Sequence, residues 1–529
     1  MVKFAKSTPL MLGILLYPMS SNAYEFDAGL SDLHVSWVSD FTVGMGIRTK
    51  NPSCSLTGDP NAWNHCGAAA DVDNYGHATN GNLNYKKGQP FSAYTGITSE
   101  VMLTMPTEGW SALIRGTAAY DFAAAHTQRT ELSSDAYNQL VRDARLLDAW
   151  VQKDFSIADQ RAHIRVGNQV INWGESYFTT SGINATNALD LQKLLIPGTQ
   201  LKQALLPSPM VSLTTSLPGH LSAEAYYQLQ WNGNRYPPVG SYWSTDDTYG
   251  RGATSVDGPV VNKLPGNSPQ YGLRIGYQPP ALPASFALYY EQYTDKSPVQ
   301  TILSSGTNQY SYLSHRQLIG ASSNFQVGNW AFGAEISYRP RDAARVSGCF
   351  DSAGNSSLVS CPNYVESKKI QYIVNGAINL TPSTQPWIKI LGADSAMFSA
   401  EIALIDYLNY RNSLQRSIDG QVVNQTAGGG TRRSAGFTVD FNWSYDGSLI
   451  SGWTVIPGVT YSDSFTGVTP TYDQNFGSGA KSINVYVQFQ QNTGKWNAGL
   501  NFTSFFGGSN LTQSYGDRNF VGMYATRSF

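Results

Sequence analysis

Leu33, Val35, Trp37, Phe41, Val43, Met45 and Ile47 all sit at odd positions, while His34, Ser36, Asp40, Thr42 and Arg48 occupy even positions between them. A β-strand turns successive side chains to opposite faces, so a two-residue period means one face meets something oily and the other something wet. Stretches of this kind recur to the last residue, Phe529. The pattern predicts an all-β fold: a closed antiparallel transmembrane β-barrel whose oily face meets lipid and whose wet face lines a lumen. A mean hydropathy of -0.27 beside 12% aromatic residues suits apolar atoms spread one in two along strands.

The amino terminus fits a secreted protein. Residues 1–23 carry Lys3 and Lys6, an apolar run from Leu10 to Met19 and small residues at Ser21 and Ala23, the pattern of a signal peptide cleaved near Ala23. No later run reaches the roughly 18 apolar residues of a spanning helix. Residues 24–529 read as one domain, since a closed sheet needs no second core. With 35 Lys plus Arg against 37 Asp plus Glu, the formal charge of -2 provides no global attraction for nucleic acid. The four cysteines form two local pairs, Cys54 with Cys66 and Cys349 with Cys361, each in a polar loop where a disulfide is the natural inference. His65 adjoins Cys66, but no CxxC pair exists, and neither a metal site nor a cofactor is expected.

About eighteen strands are predicted, with sixteen as the alternative, because connections alternate between tight turns such as 106–109 and 218–219 and long polar loops. An even count returns both termini to the periplasm. The last strand, ending Val521, Met523, Ala525, Arg527 and Phe529 on one face, matches what barrel-assembly machinery recognises in outer-membrane proteins.

One connection breaks the rhythm. After the fifth strand, residues 172–209 precede the next clear strand. Structureless loops of that length are uncommon in compact folds. Leu189, Leu191, Leu194, Leu195, Leu201, Leu205 and Leu206 fit short amphipathic helices broken at Pro197-Gly198. The expectation is an inward-folded plug or constriction; a lid on the extracellular rim is the alternative. Its candidate gate residues are Trp173, Gly174, Glu175, Asp190, Lys193, Pro197 and Lys202, with Trp173 beside Gly174 expected to pin a turn. By strand parity Arg115, His163, Arg165, Gln169, Glu224, Glu335 and Arg339 point into the lumen, as do Asp40, Arg48, Glu100, Asp121, Asp148, Gln228, Glu401 and Asp440. On the lipid face Arg or Lys would cost about 2–4 kcal/mol at the midplane. Arg115, His163 and Arg165 place positive charge beside the plug, either pairing with lumen carboxylates or facing a cargo head group.

The string GNLNYKKG at 81–88, RVGNQVINWGES at 165–176, the segment from Gly182 to Met210 and GAEISYRP at 333–340 resemble a large family of proteobacterial outer-membrane proteins catalogued as a domain of unknown function. Trp173-Gly174-Glu175 and Leu205-Leu206-Pro207 are the most specific elements, and the resemblance covers the mature chain. It implies an outer-membrane barrel of a family whose genes often neighbour a LolB-like periplasmic lipoprotein and an RND-type, MmpL-like exporter, and hence passage of lipids or other hydrophobic compounds. It supplies no catalytic residues.

The functional expectation is therefore a non-enzymatic conduit for hydrophobic or amphipathic small molecules or lipids, gated by residues 172–209. One alternative is an outer-membrane lipid hydrolase, for which the chain offers seven histidines and no GxSxG elbow. The other is a structural or adhesive barrel whose disulfide loops bind partners.

Overall fold

A strand with one oily face leaves unpaired N–H and C=O groups along its edges until a sheet closes on itself. In the computed structural model, which describes residues 24–27, 32–75, 80–253, 259–356 and 359–529, the sheet does close. The expected signal peptide, 1–23, lies outside the described residues. The ring is antiparallel and eighteen-stranded. Its first half comprises β1 (His34–Arg48), β2 (Pro90–Met105), β3 (Trp110–Asp121), β4 (Arg142–Ile157), β5 (Gln160–Gln169), β6 (Ser208–Leu217), β7 (Leu221–Gln228), β8 (Gln270–Tyr277) and β9 (Ala284–Tyr293). The second half comprises β10 (Arg316–Val327), β11 (Trp330–Arg345), β12 (Tyr364–Leu380), β13 (Ser395–Tyr407), β14 (Arg433–Asp446), β15 (Trp453–Thr466), β16 (Ala480–Gln491), β17 (Trp496–Gly507) and β18 (Phe520–Ser528).

Each strand pairs with its sequence neighbours, and β18 returns to β1 with Phe520 opposite Arg48 and Ser528 opposite Asp40. The seam finishes at Phe529, whose N–H donates to the Ser39 carbonyl at 2.9 Å and whose carbonyl accepts from the Ser39 N–H at 3.2 Å. Beyond it the short strand Tyr24–Asp27 takes over β1, pairing Tyr24 with Trp37. Among the described residues register slips in four places, two of them at a proline that lacks an N–H, between Gly46 and Ile47 opposite Pro90 and between Arg339 and Asp342 around Pro340, and two without one, between Ile114 and Gly116 and between Ala435 and Phe437.

Tight connections such as 106–109, 158–159 and 328–329 gather at one end, here the turn end. Long ones, including 49–89, 170–207 and 229–269, gather at the other, the loop end. Parity holds on β1, where Trp37, Phe41 and Val43 are exposed outward while Asp40, Thr42 and Arg48 are buried inward.

At the loop end the connections fold over the ring. Fully buried Arg48, the last residue of β1, donates to the Lys50 carbonyl (2.7 Å), to Asn82 O and Oδ1 (both 2.7 Å), to Tyr85 O (2.9 Å) and to Asp517 O (3.0 Å). Its charge faces the Asp517 carboxylate at 3.4 Å, and its guanidinium lies 5.5 Å from the Tyr242 ring centre. Tyr242 stacks on Phe91 at 4.0 Å, within an apolar cluster containing Tyr85, Trp243, Tyr515 and Phe520. One cation thus joins loops 49–89, 229–269 and 508–519. Both expected disulfides are formed, Cys54–Cys66 and Cys349–Cys361.

Removing one partner of a buried ion pair strands the other, at a cost of about 3–5 kcal/mol. Arg48→Ala is expected to loosen this cap by that amount. Limited tryptic digestion with mass mapping should find faster cleavage after Lys86 and Lys87 with the strands still protected; unchanged cleavage would refute the role given to Arg48.

Candidate functional site

The connection after β5 enters the ring, meeting the inward side chains Glu335 and Glu401. Gln169, buried at the end of β5, donates to the Met210 carbonyl at 3.1 Å and accepts from Ser212 Oγ at 2.9 Å, fixing the point where the chain leaves the wall. The strand stops there, short of Ile171, because Asn187 takes both the Ile171 N–H (3.0 Å) and its carbonyl.

Two inward carboxylates then hold the backbone. Glu335 on β11 accepts from the N–H groups of Glu175 (2.8 Å) and Ile183 (3.1 Å). Glu401 on β13 accepts from the N–H groups of Tyr177 (2.5 Å), Phe178 (3.1 Å) and Thr179 (2.6 Å). These bonds satisfy backbone amides that would otherwise be buried without partners. The fit needs glycine at both contacts. A Cβ on Gly174, whose φ is +94°, would lie 2.6 Å from Glu335 Oε2, and one on Gly182 would lie 1.9 Å from Oε1. Arg339, from the same strand as Glu335, donates to the Gly182 carbonyl at 2.7 Å.

Trp173 is buried between Tyr226 and Tyr289, with ring centres 5.2 and 5.7 Å away, and its indole N–H donates to Glu224 Oε2 at 2.8 Å. Glu224 is also paired with Arg274 at 2.8 Å. The Glu175 side chain accepts from Ser322 and Asn324, each at 3.3 Å.

The far end of the segment is tied to the opposite side of the ring. Lys202 pairs with Asp40 of β1 at 3.2 Å, the Pro197 carbonyl accepts from Tyr94 Oη of β2 at 2.7 Å, and Gln203 donates to Thr98 at 2.6 Å. Contacts to β11 and β13 at one end and to β1 and β2 at the other make residues 173–206 a crossing of the interior. Midway sits a charge cluster. Asp190 faces Arg145 of β4 (3.2 Å) and Arg235 of loop 229–269 (3.4 Å), while Asp143 takes the same two arginines (3.0 and 3.1 Å) and Lys193 (3.4 Å).

One expectation needs correcting. The leucines do not form amphipathic helices. Ala188–Leu189 pairs with Leu205–Leu206 as a small hairpin, Lys193–Leu195 is a 3-10 turn, and Leu201–Ala204 is a single helical turn capped reciprocally by Gln200 and Gln203. Loop 229–269 causes this by offering backbone partners: Arg235 N–H donates to Leu189 O at 2.8 Å, and Leu191 N–H donates to Arg235 O at 2.9 Å. Of the two alternatives for the wall cations, pairing with lumen carboxylates is the one Arg115 adopts, and its partner Glu100 lies 4.0 Å from Lys202 of the segment. Arg165 donates twice to Gln152 on β4 (3.0 and 2.7 Å) and lies 4.1 Å from the Trp150 ring centre, Arg115 is held by Glu100 (2.6 Å) and Asp148 (2.7 Å), and His163 stands opposite Asp154 near the turn end. The cations that hold the segment's middle are Arg145 and Arg235. The signal for Arg145 was its inward parity with Asp143; Arg235, in a loop, had none.

Cavities flank the crossing. On the loop side is one of about 240 Å³, walled by Tyr236, Tyr249, Tyr472, Asp295, Lys296 and Leu195 among others. Burial pushes the Asp295 carboxyl up to about 7, Asp342 adding to the rise, and pulls the Lys296 ammonium down to about 7. On the turn side a cleft of about 490 Å³ runs between Leu194, Leu195, Ile196, Pro197 and Leu201 of the segment and a wall from β16–β18 that carries amides and hydroxyls, including Asn484, Gln488, Asn501, Thr503 and Tyr524. Leu195 borders both.

A family model described as "Protein of unknown function (DUF1302)" matches residues 6–529. The chain belongs to the DUF1302 family. No curated protein matches it. Among solved structures, the DUF1302 chain is similar to OpdK of Pseudomonas aeruginosa with vanillate, at 10% identity and a TM-score of 0.42 over 93% of this chain and 98% of that one. It is similar also to OccAB2 of Acinetobacter baumannii (10%, 0.43, 94% and 98%) and to a BenF-like porin of Pseudomonas fluorescens Pf-5 (9%, 0.43, 94% and 98%). In this DUF1302 protein the strings RVGNQVINWGES and 182–210 are the crossing segment and its two roots on the wall.

Gly182→Ala is expected to push Glu335 off the Glu175 and Ile183 amides and free the segment while the ring survives. Tryptic cleavage after Lys193 and Lys202 should rise several-fold, with a smaller rise for Glu335→Gln, which keeps one acceptor. Equal protection of wild type and Gly182→Ala would contradict the anchoring role of Glu335.

Proposed function

We propose that this DUF1302 protein spans the outer membrane as a channel for amphipathic or hydrophobic small molecules or lipids, with residues 172–209 as a lumen plug that constricts the path. The observation that carries the reading is the pair of cavities on the two sides of the crossing segment, which share Leu195 as a lining residue. Membrane placement is supported by the apolar outward face, on which side chains such as Trp37, Val374 and Ile402 are about half exposed. In such barrels tight turns lie on the periplasmic side, so the wide cleft opens there and the loop cap faces outside. That orientation offers the turn end to the periplasmic lipoprotein and RND-type transporter implied by the family resemblance.

The cargo class follows from the walls. Selectivity in a pore comes from its width, lining donors and acceptors, and fixed charge. The cleft sets aliphatic side chains against neutral amides and hydroxyls, and Lys202, the cation on its border, is already held by Asp40. A solute with one oily and one uncharged polar face fits that geometry, whereas a strongly charged one finds no counter-charge along the cleft.

The test compares wild type with a 182–206 deletion and with Leu195→Ala. In planar bilayers the deletion should raise single-channel conductance several-fold and Leu195→Ala should raise it less. A strain lacking the gene should lose uptake or accumulation of neutral amphipathic solutes while retaining sugars and amino acids, and wild type should restore it. Unaltered accumulation of every apolar solute would favour the structural or adhesive reading.

A pH effect follows from the outer cavity. Below about 7 Lys296 is charged and Asp295 neutral; above it Lys296 is neutral and Asp295 charged. The cavity therefore loses positive and gains negative charge as pH rises, and reversal potentials in a salt gradient should shift toward cation preference across that interval. A pH-independent reversal potential, or Asp295→Asn and Lys296→Met variants that behave as wild type, would remove these groups from the path.

A further inference from the structure

The connection from β12 to β13, residues 381–394, is the longest at the turn end and does not end in a bare turn. Pro386–Leu391 forms a 3-10 helix that lies on the outer wall. On β14, Asp440 and Asn442 are buried inward, so Phe441, Trp443 and Tyr445 face outward, and the helix covers them together with Ile378, Leu380 and Ala396. Ile388 is the residue driven into that cover, Trp387 lies 6.1 Å from the Phe441 ring centre, and Tyr445 Oη donates to the Leu391 carbonyl at 2.8 Å.

The helix hides one apolar surface and presents another. Trp387 is 42% exposed, Ile390 86% and Leu391 38%, and the neighbouring turn adds Leu449 and Ile450. This patch is continuous with the outward residues Val374, Ile402 and Leu404 of β12 and β13. Exposed Lys389 sits between Ile388 and Ile390, placed to reach a phosphate while its stem stays against apolar surface. Trp and Tyr at the same level are the residues favoured where acyl chains meet headgroups.

We propose that Pro386–Leu391 is an interfacial foot that inserts Trp387, Ile390 and Leu391 into the acyl–glycerol boundary of the leaflet meeting the turn end, with Leu449 and Ile450 beside it. The foot thus fixes how deep and at what tilt the ring sits. This rests on the membrane placement argued above, and the test separates the two.

The described cysteines are all in disulfides, so a label reports an introduced site. Ile390→Cys and, as a strand control, Ile402→Cys carry a nitrobenzoxadiazole probe, in phosphatidylcholine vesicles with or without brominated acyl chains. The expected result is quenching of both probes by bromine, with the probe at 390 shielded from aqueous iodide. Bromine quenching at 402 with only iodide quenching at 390 overturns the foot and leaves the barrel placement standing. A probe at 390 that meets iodide in vesicles but is shielded in native outer membranes makes the patch a protein-docking face, which also overturns it. Absence of bromine quenching at both positions refutes the membrane placement and the foot with it.

Discussion

Closure of the backbone hydrogen-bond ladder is the constraint on which everything else in this protein depends. A sheet with an oily exterior cannot leave an edge, because unpaired amides beside apolar surface cost several kcal/mol each where water is absent. The pairing of β18 with β1, completed by Phe529 against Ser39 and extended by Tyr24–Asp27, removes that edge. Once the ring is closed, parity sorts the strand residues between slips, and side chains such as Asp40, Glu335 and Glu401 are committed to the interior whether or not they serve a function.

That commitment creates the material from which the crossing segment is held. A ring of this size encloses more space than inward side chains fill, so buried carboxylates need partners. Glu335 and Glu401 find them in the backbone amides of 175–183, Asp40 in Lys202, and Asp190 in Arg145 and Arg235. The holding contacts are polar and directional, while the turn-side cleft is lined by aliphatic side chains, amides and hydroxyls and the loop-side cavity by tyrosines with Asp295 and Lys296 among them. The segment is thus held at its roots and lines both cavities through Leu195.

The loop cap obeys similar logic on a smaller scale. Arg48 uses the whole donor fork of its guanidinium on loop backbone and Asn82, and Asp517 closes the charge. The family string at 81–88 is legible as an Arg receptor: Asn82 and Tyr85 supply its acceptors, and Leu83 packs fully buried beside them.

How much of this was legible varies with the range of the forces involved. The count and order of strands, the inward set from Asp40 to Asp440 and the two disulfides follow from a two-residue period, turn chemistry and short cysteine spacing, all local. The crossing segment was recognisable by its length and position, and Trp173, Glu175, Asp190 and Lys202 within it do meet strand side chains. Its internal form was not, because Arg235 in a distant loop supplies the backbone partners that turn expected helices into a hairpin. Arg165 and Arg115 were placed on the correct face, yet neighbouring strands claim them before the segment can. By itself the sequence determined an alternating, ring-closing sheet with a polar interior, since side-chain direction along a strand is a matter of covalent geometry. Only the tertiary structure decided which buried charge meets which amide, since those choices depend on contacts between residues far apart in the chain.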